Sequence, residues 1–418
     1  MLLRTENTKN HLKSDIRITG SKSETNRLLL LQALFEGLII ENTSNSDDGM
    51  LMQKALKSED EVIDISHAGT AMRFLTAYFA IQKDRKTILT GSKRMQERPI
   101  GILVDALRSL GADIEYQKNE GYPPLCIKGT TLLKNKVTLQ ANVSSQYISA
   151  LMLIGAALPE GIVINLDGKI TSVPYIKMTL ELLHQLGITA HFEGQSIQIK
   201  PFKETSNIKT IVVESDWSSA SYYYSLVAMM HTRSKSDAIT QITISSYRKN
   251  SLQGDAVLAE IYKQLGVVSH FEDHKLHLQL DAAIQLPEIL QLDLSNSPDI
   301  AQTIAVSCLG LGIGCELTGL HTLKIKETDR LEALYAEITK LGGTIKVTDT
   351  SLYLEKRTTP LKEDITIATY HDHRMAMAFA PLGLCVPIMI EDAGVVSKSY
   401  PDFWEDLKTL GFKQEIID

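Results

Sequence analysis

The chain has 418 residues, 44% hydrophobic and 22% charged, with a formal net charge of −7; it is long enough for two or three domains with full cores, and its acidic balance opposes a general nucleic-acid binder without excluding a local basic pocket. No apolar run reaches the roughly 18 residues of a membrane span, and Met1 to Asn10 lacks the apolar segment of a signal peptide. Four cysteines, Cys126, Cys308, Cys315 and Cys385, form no CxxC pair and read as reduced thiols of a cytoplasmic protein.

In chain order, a strand-like run from Asp15 to Thr19 leads into the polar loop "GSKSETNR" and then "LLLLQALF", a helix without a polar face. "MLMQKALKS" follows at 50–58 as an amphipathic helix, and the strands expected after Ser58 are mostly missing. The loop-and-apolar-helix phrase returns as "SHAGTAMR" before "FLTAYFA", and an amphipathic helix ending in Leu-Gly then runs into a strand at "LVDALRSLGADIEY". The alternation continues with "VSSQY" before "ISALMLIGAAL", then "LELLHQLGITAHF", then "SDWSSAS" before "YYYSLVAMM", then "LAEIYKQLGVVSHF". It closes with "NSPDIAQ" before "TIAVSCLGLG", "LYAEITKLGGTIKV", "YHDHRMAM" before "AFAPLGL", and "WEDLKTLGF". Helices apolar all round must be buried on every side, glycine after the last helical residue is a C-cap, and alternating runs such as "SIQIKPF", "KLHLQL" and "SLYLEK" read as strands. The repeat recurs about every 75 residues, too long for a solenoid rung, so each copy is a subdomain, the first of them trimmed.

The polar loops precede helix N-termini, which are natural anion sites. Lys22, Arg27, Arg98, Lys326, Arg330, Arg374 and Lys398 are expected at or beside helix starts, where a cation is unfavourable unless an anion arrives to offset it. "GSKS" is not a Walker loop, since GxxxxGK[ST] is absent. Among the acidic residues of the same loops, Asp299 and Glu327 are the candidates for proton transfer because cationic neighbours tune a partly buried carboxylate. Asp329 and Asp372 read as helix caps. His371 and His373 have HxH spacing but no third ligand of matching type nearby, which opposes a zinc site, and Cys126 reads as a strand residue.

At this point the motifs "GSKSETNR", "AGTAMR", "RMQERPIGILVDALRSLGA", "VSSQYISAL", "TSVPYI", "PDIAQT", "KIKETDRLEAL", "YHDHRMAMA" and "KSYPDF", in that order along nearly the whole chain, resemble the 5-enolpyruvylshikimate-3-phosphate synthase family. The resemblance implies an α+β fold of two similar domains, each of three helix-and-strand subdomains with buried helices, with the active site in the interdomain cleft. The domains would be 1–20 with 215–418, and 21–214. It implies shikimate-3-phosphate contacts from Lys22, Ser23, Arg27, Ser144, Ser145, Ser172, Tyr175, Asp299 and Lys326. It implies phosphoenolpyruvate contacts from Lys22, Gly69, Arg98, Gln146, Arg330, Arg374 and Lys398. Asp299, Glu327 and Lys22 would be catalytic: Asp299 takes the 5-hydroxyl proton, while Lys22 and Glu327 handle protonation at the methylene.

The implied reaction moves the enolpyruvyl group to the 5-hydroxyl and releases phosphate through a tetrahedral intermediate, with no metal or organic cofactor. It implies a cytoplasmic monomer acting on these two small molecules, with no nucleic-acid or membrane partner. Both substrates together carry about six negative charges, and a pair of unit charges 4 Å apart is worth roughly 4 kcal/mol at an effective dielectric near 20, so converging cations would be needed to bring the two polyanions together. Shikimate-3-phosphate, contacting both domains, is expected to favour closure and to tighten binding of phosphoenolpyruvate or of a mimic such as glyphosate. The sequence departs from the family at His67, where "NAGTAMR" or "NSGT" is usual, at Thr322, commonly Asn, and at Thr19, which replaces a Pro before "GSKS". Two alternatives are an enolpyruvyl transferase acting on UDP-N-acetylglucosamine, whose reactive loop Cys has no counterpart around "GSKRMQERPIG", and a non-catalytic repeat protein that binds anions, which Asp299 and Glu327 oppose.

Overall fold

A computed structural model describes residues 1–140, 144–168, 170, 173–202, 208–233 and 240–417. The chain divides into one continuous unit, Gly20–Val213, and a second unit made of Met1–Thr19 with Glu214–Asp418.

The continuous unit holds six α-helices among its described residues: α1 (Lys22–Leu34), α2 (Asp47–Lys57), α3 (Gly69–Ala80), α4 (Gly101–Leu110), α5 (Ser145–Gly155) and α6 (Val173–Gln185). The odd-numbered helices are the apolar ones of the repeat. In α1, Leu28 to Leu31 are at most 5% exposed; burying each such side chain contributes about 1.5–3 kcal/mol as an upper bound, which fixes a helix without a polar face at the centre. α3 packs against both α1 and α5. α4 is amphipathic and ends on Gly111, whose φ of 112° is left-handed; an L side chain is strained there, so the Leu-Gly signature marks the turn into the next strand.

Around these helices lie two four-stranded sheets and a two-stranded one. In the order Val62–Asp64, Lys86–Thr90, Leu125–Lys128, Asp113–Tyr116, the first pair is parallel and the next two are antiparallel. Lys136–Gln140, Ile162–Asp167, Ser196–Ile199 and Ala190–Glu193 follow the same rule. In each, a buried helix crosses between the parallel strands and an amphipathic helix leads to the closing hairpin. Among the described residues the third sheet pairs Leu38–Glu41 with Lys209–Val212, in parallel.

The discontinuous unit carries α7 (Trp217–Met229), α8 (Leu258–Lys263), α9 (Ala301–Leu311), α10 (Arg330–Lys340), α11 (His373–Phe379) and α12 (Phe403–Thr409). Helices α7, α9 and α11 are buried, and α9 packs against both α7 and α11. Its three sheets repeat the same topology: Lys13–Ile16, Gln241–Ser245, Lys275–Leu280, Val267–Glu272; then Ile289–Asp293, Gly314–Thr318, Leu352–Leu354, Ile345–Val347; then Ile365–Ile367, Ile388–Ile390, Leu2–Glu6, Lys413–Ile417. In the last sheet the N-terminal and C-terminal strands supply the antiparallel half. Among the described residues no helix is long and apolar enough to cross a membrane.

Candidate functional site

In the discontinuous unit the loops before α9, α10 and α11 meet. The 3-10 turn Pro298–Ile300 presents Asp299 just ahead of α9, Arg330 is the first residue of α10, and Arg374 the second of α11. One Asp299 carboxylate oxygen accepts Arg330 Nη1 at 2.9 Å and lies 3.2 Å from Lys326 Nζ; the other lies 3.6 Å from Arg374 Nη2. Arg374 Nη1 also donates to the Asp299 carbonyl at 2.9 Å. Burial alone would raise the pKa of Asp299, but Lys326, Arg374 and Arg330 together overcome it and hold the carboxyl well below the usual carboxylate range. Arg330 is 2% exposed. Its Nε donates to Asp372 at 2.7 Å and its Nη2 to Glu327 at 2.8 Å, so three carboxylates surround one guanidinium and outweigh the burial that would lower its pKa.

The continuous unit gathers a second group. Lys22, the first residue of α1, points its Nζ to within 3.4 Å of the Asp48 carboxylate in the first turn of α2. Gly69 opens α3, and Arg98 lies against it: a methyl group on Gly69 would stand 2.5 Å from Arg98 Nη1. Gln146, whose backbone N–H donates to the cap Ser144 Oγ at 3.3 Å, also donates its Nε2 to Thr70 Oγ1 at 3.2 Å. Ser145, buried, is the first residue of α5. His67, two residues before Gly69, has its Nδ1 3.2 Å from Ser66 Oγ and its Nε2 3.7 Å from Asp47.

Sequence reasoning anticipated that the loops carrying Lys326, Glu327, Arg330, Arg374 and Asp299 meet, cations beside carboxylates, but not which residue pairs with which. In this unit Lys326, Arg330 and Arg374 face Asp299, Glu327 and Asp372, so an arriving anion must compete with carboxylates already in place. Asp372 is more than a cap, since beyond accepting the Arg374 N–H at 2.9 Å it grips Arg330. Asp329 caps α10 by accepting from Leu331 and Glu332 N–H. Lys398 does not stand at a helix start. It ends the 3-10 turn Ala393–Lys398, where exposed carbonyls favour a cation, and donates to the His371 carbonyl at 2.7 Å.

Arg27 is the sixth residue of α1, not its start. Its guanidinium is buried and donates to Thr179 Oγ1, the Ser23 carbonyl and Ser149 Oγ at 2.7, 2.7 and 3.0 Å, with the Phe74 and Tyr175 rings 5.3 and 5.8 Å from its Cζ. Burial lowers its pKa to about 10, which still leaves it a cation at neutral pH. Ser23 lies in the first turn of α1 and Tyr175 in that of α6; Ser172 lies outside the described residues. The HxH pair separates: His371 is exposed beside Asp392 and His373 buried beside Asp372. Cys126 sits in the strand Leu125–Lys128.

Sequence reasoning missed Arg73. Its Nη1 donates to the Gly69 carbonyl at 3.2 Å and its Nη2 to the Pro99 carbonyl at 2.9 Å, while Tyr147 Oη donates to the same Pro99 oxygen at 2.7 Å. This clamp fixes the backbone that carries Arg98. The signal was present: an arginine on a helix otherwise buried and apolar. Thr322, at a departure from the family pattern, has a buried hydroxyl with no hydrogen-bond partner among the described residues.

A family model described as EPSP synthase (3-phosphoshikimate 1-carboxyvinyltransferase) matches residues 53–407. A 3-phosphoshikimate 1-carboxyvinyltransferase of Bacteroides fragilis is 44% identical over 410 residues, covering 96% of each chain. One of Histophilus somni is 33% identical, covering 96% of this chain and 98% of its own. Among solved structures, an EPSP synthase from Acinetobacter baumannii superposes with a TM-score of 0.78 at 20% identity over the whole of both chains. The enolpyruvyl transferase NikO from Streptomyces tendae gives 0.74 at 14% identity, covering 99% of this chain and 98% of its own. These two show the fold.

Proposed function

The chain belongs to the EPSP synthase family, and we propose that it transfers the enolpyruvyl group of phosphoenolpyruvate to the 5-hydroxyl of shikimate-3-phosphate, releasing phosphate, on the route to chorismate and the aromatic amino acids. The observation that carries this reading is the Asp299 carboxylate held by Lys326, Arg330 and Arg374. A base is fixed there among the cations that two polyanionic substrates need.

In this reading, phosphoenolpyruvate takes its contacts from Lys22, Gly69, Arg98, Gln146, Arg330, Arg374 and Lys398, and shikimate-3-phosphate from Lys22, Ser23, Arg27, Ser144, Ser145, Ser172, Tyr175, Asp299 and Lys326. The 5-oxygen attacks C2 of phosphoenolpyruvate as Asp299 accepts its proton, and a proton is added at C3 from Lys22 or Glu327. The tetrahedral intermediate then loses a C3 proton and its C–O bond to phosphate, which yields the enol ether and inorganic phosphate. Alone, Asp299 is too weak a base, because three cations stabilise its charge. Substrate phosphate and carboxylate groups that engage Arg330, Arg374 and Lys326 withdraw part of that stabilisation, so binding raises the basicity of Asp299 as the hydroxyl arrives. The protein acts as a cytoplasmic monomer.

The test is release of inorganic phosphate by the purified chain from a mixture of the two substrates, with UDP-N-acetylglucosamine replacing shikimate-3-phosphate as comparator. Phosphate is expected only with shikimate-3-phosphate. Release with the sugar nucleotide alone, or with neither, overturns the reading.

A further inference from the structure

Arg374 is held from two sides. On one, Asp299 takes Nη1 through its carbonyl and faces Nη2 with its carboxylate. On the other, Arg374 Nη2 donates to Ser218 Oγ at 3.1 Å, and that hydroxyl donates to an Asp255 carboxylate oxygen. Ser218 is the second residue of α7, and Asp255 belongs to the 3-10 turn Gly254–Val257 that precedes α8. Asp255 is 5% exposed, and the Ser218 hydroxyl is its hydrogen-bond partner among the described residues.

A buried carboxylate is costly unless a positive charge or a set of donors offsets it. Among the described residues Asp255 makes no direct ion pair; burial pushes its carboxyl up to about 6, with the Arg374 guanidinium opposing and Asp299 adding to the shift. A serine hydroxyl has one hydrogen. While Asp255 is an acceptor, that hydrogen points toward it and a lone pair faces Arg374. If the acceptor is lost the hydroxyl is free to turn, and Arg374 then meets a hydrogen where it met a lone pair.

We propose that Asp255, acting through the Ser218 hydroxyl, is a positioning residue that holds the Arg374 guanidinium for phosphoenolpyruvate. The proposal rests on the functional reading above. It assigns Asp255 no contact with either substrate, so its removal acts on one substrate through one arginine.

The test uses the full-length chain and the variants Ser218→Ala, Ser218→Thr, Asp255→Leu and Ser218→Ala/Asp255→Leu. Steady-state constants are measured for each substrate, with thermal unfolding in parallel. Ser218→Ala and Asp255→Leu, which removes the acceptor, are each expected to raise KM for phosphoenolpyruvate roughly tenfold, the scale of one hydrogen bond to a charged group. KM for shikimate-3-phosphate should stay within about threefold, and Ser218→Thr, which keeps the hydroxyl, should stay near the parent. The double variant should be no worse than the poorer single one, since both break the same chain of contacts. Additive losses, an unchanged KM for phosphoenolpyruvate in both single variants, or a parallel rise in both KM values with a lowered Tm overturn the proposal. Should Asp255→Leu not fold, Ser218→Ala against Ser218→Thr decides alone. Absence of turnover in the parent chain defeats the functional reading itself, and this inference with it.

Discussion

Replacing Gly69 by Ala separates the fold from the site at a single methyl group. Gly69 opens α3 with its backbone outside the left-handed region, so alanine fits the main chain. Within a helix alanine is favoured over glycine by about 0.5–1 kcal/mol, so global stability should hold or rise slightly. The added Cβ stands 2.5 Å from Arg98 Nη1 and 3.1 Å from its Cζ and Nη2. A relaxed contact needs about 3.5 Å, so the guanidinium must retreat by roughly 1 Å. It is the end of a flexible side chain and can move at little cost, but a misplacement of that size can lower activity by about a hundredfold. The expected outcome is a KM for phosphoenolpyruvate raised roughly ten- to a hundredfold, a KM for shikimate-3-phosphate near the parent value, and a Tm unchanged or higher. A larger anionic mimic such as glyphosate should lose more affinity than the substrate. Coupled phosphate release and differential scanning calorimetry read both quantities. A lowered Tm with both KM values shifted together would refute the steric reasoning, as would an unaltered KM for phosphoenolpyruvate.

Asp299→Asn should keep shikimate-3-phosphate binding within roughly tenfold and lower turnover by about a hundredfold or more, as for loss of a general base; near-parent turnover in a stopped-time assay removes Asp299 from that role. Asp372→Asn leaves the buried Arg330 with two of its three carboxylates and should cost about 1–3 kcal/mol in urea unfolding, whereas no loss means that Asp299 and Glu327 suffice. Burial pushes the Asp406 carboxyl up to about 6 against the opposing hydrogen bond from Tyr400. Because folding favours its protonated form, its contribution to stability is greatest below the ordinary value near 3.8 and is lost as pH rises toward 6. Asp406→Asn should therefore compare more favourably with the parent at pH 7 than at pH 4, and a constant difference across that window rules the linkage out.

The repeat was legible because its signals are local and hard to satisfy otherwise. A helix like "ISALMLIGAAL" can only be buried, and Leu-Gly can only close a helix in a left-handed turn. The candidate residues were legible as motifs, but their partners were not. Lys22 meets Asp48, Arg330 meets Asp372 and Arg374 meets Ser218 across intervals of the chain that no spacing rule links. Thus the loops showed both signs of charge in sequence, while the pairs that nearly cancel in one cluster appear only in space. Lys398 was misplaced because a short 3-10 turn ends beside it, and turns of that length leave no periodic trace. The closing of the last sheet by Leu2–Glu6 beside Lys413–Ile417 depends on the two ends of the chain meeting, which no local pattern announces.

The two crossings of the chain bear on how the gene can be cut. Residues Gly20 to Val213 form one uninterrupted reading segment whose ends lie together: a Cβ on Gly20 would stand 2.8 Å from Val213 Cγ1, while Val213 N–H donates to the Glu41 carbonyl at 2.9 Å and Asn42 Nδ2 to the Val213 carbonyl at 2.8 Å. On the other side of the cuts, Asp216 N–H donates to the Thr19 carbonyl at 3.4 Å and Ser215 Oγ to the Ile18 carbonyl at 2.5 Å. Excision of that segment therefore leaves two ends already side by side, and a few glycines can rejoin them. Each half becomes a separately clonable piece, small enough for isotope labelling and titration with one substrate at a time.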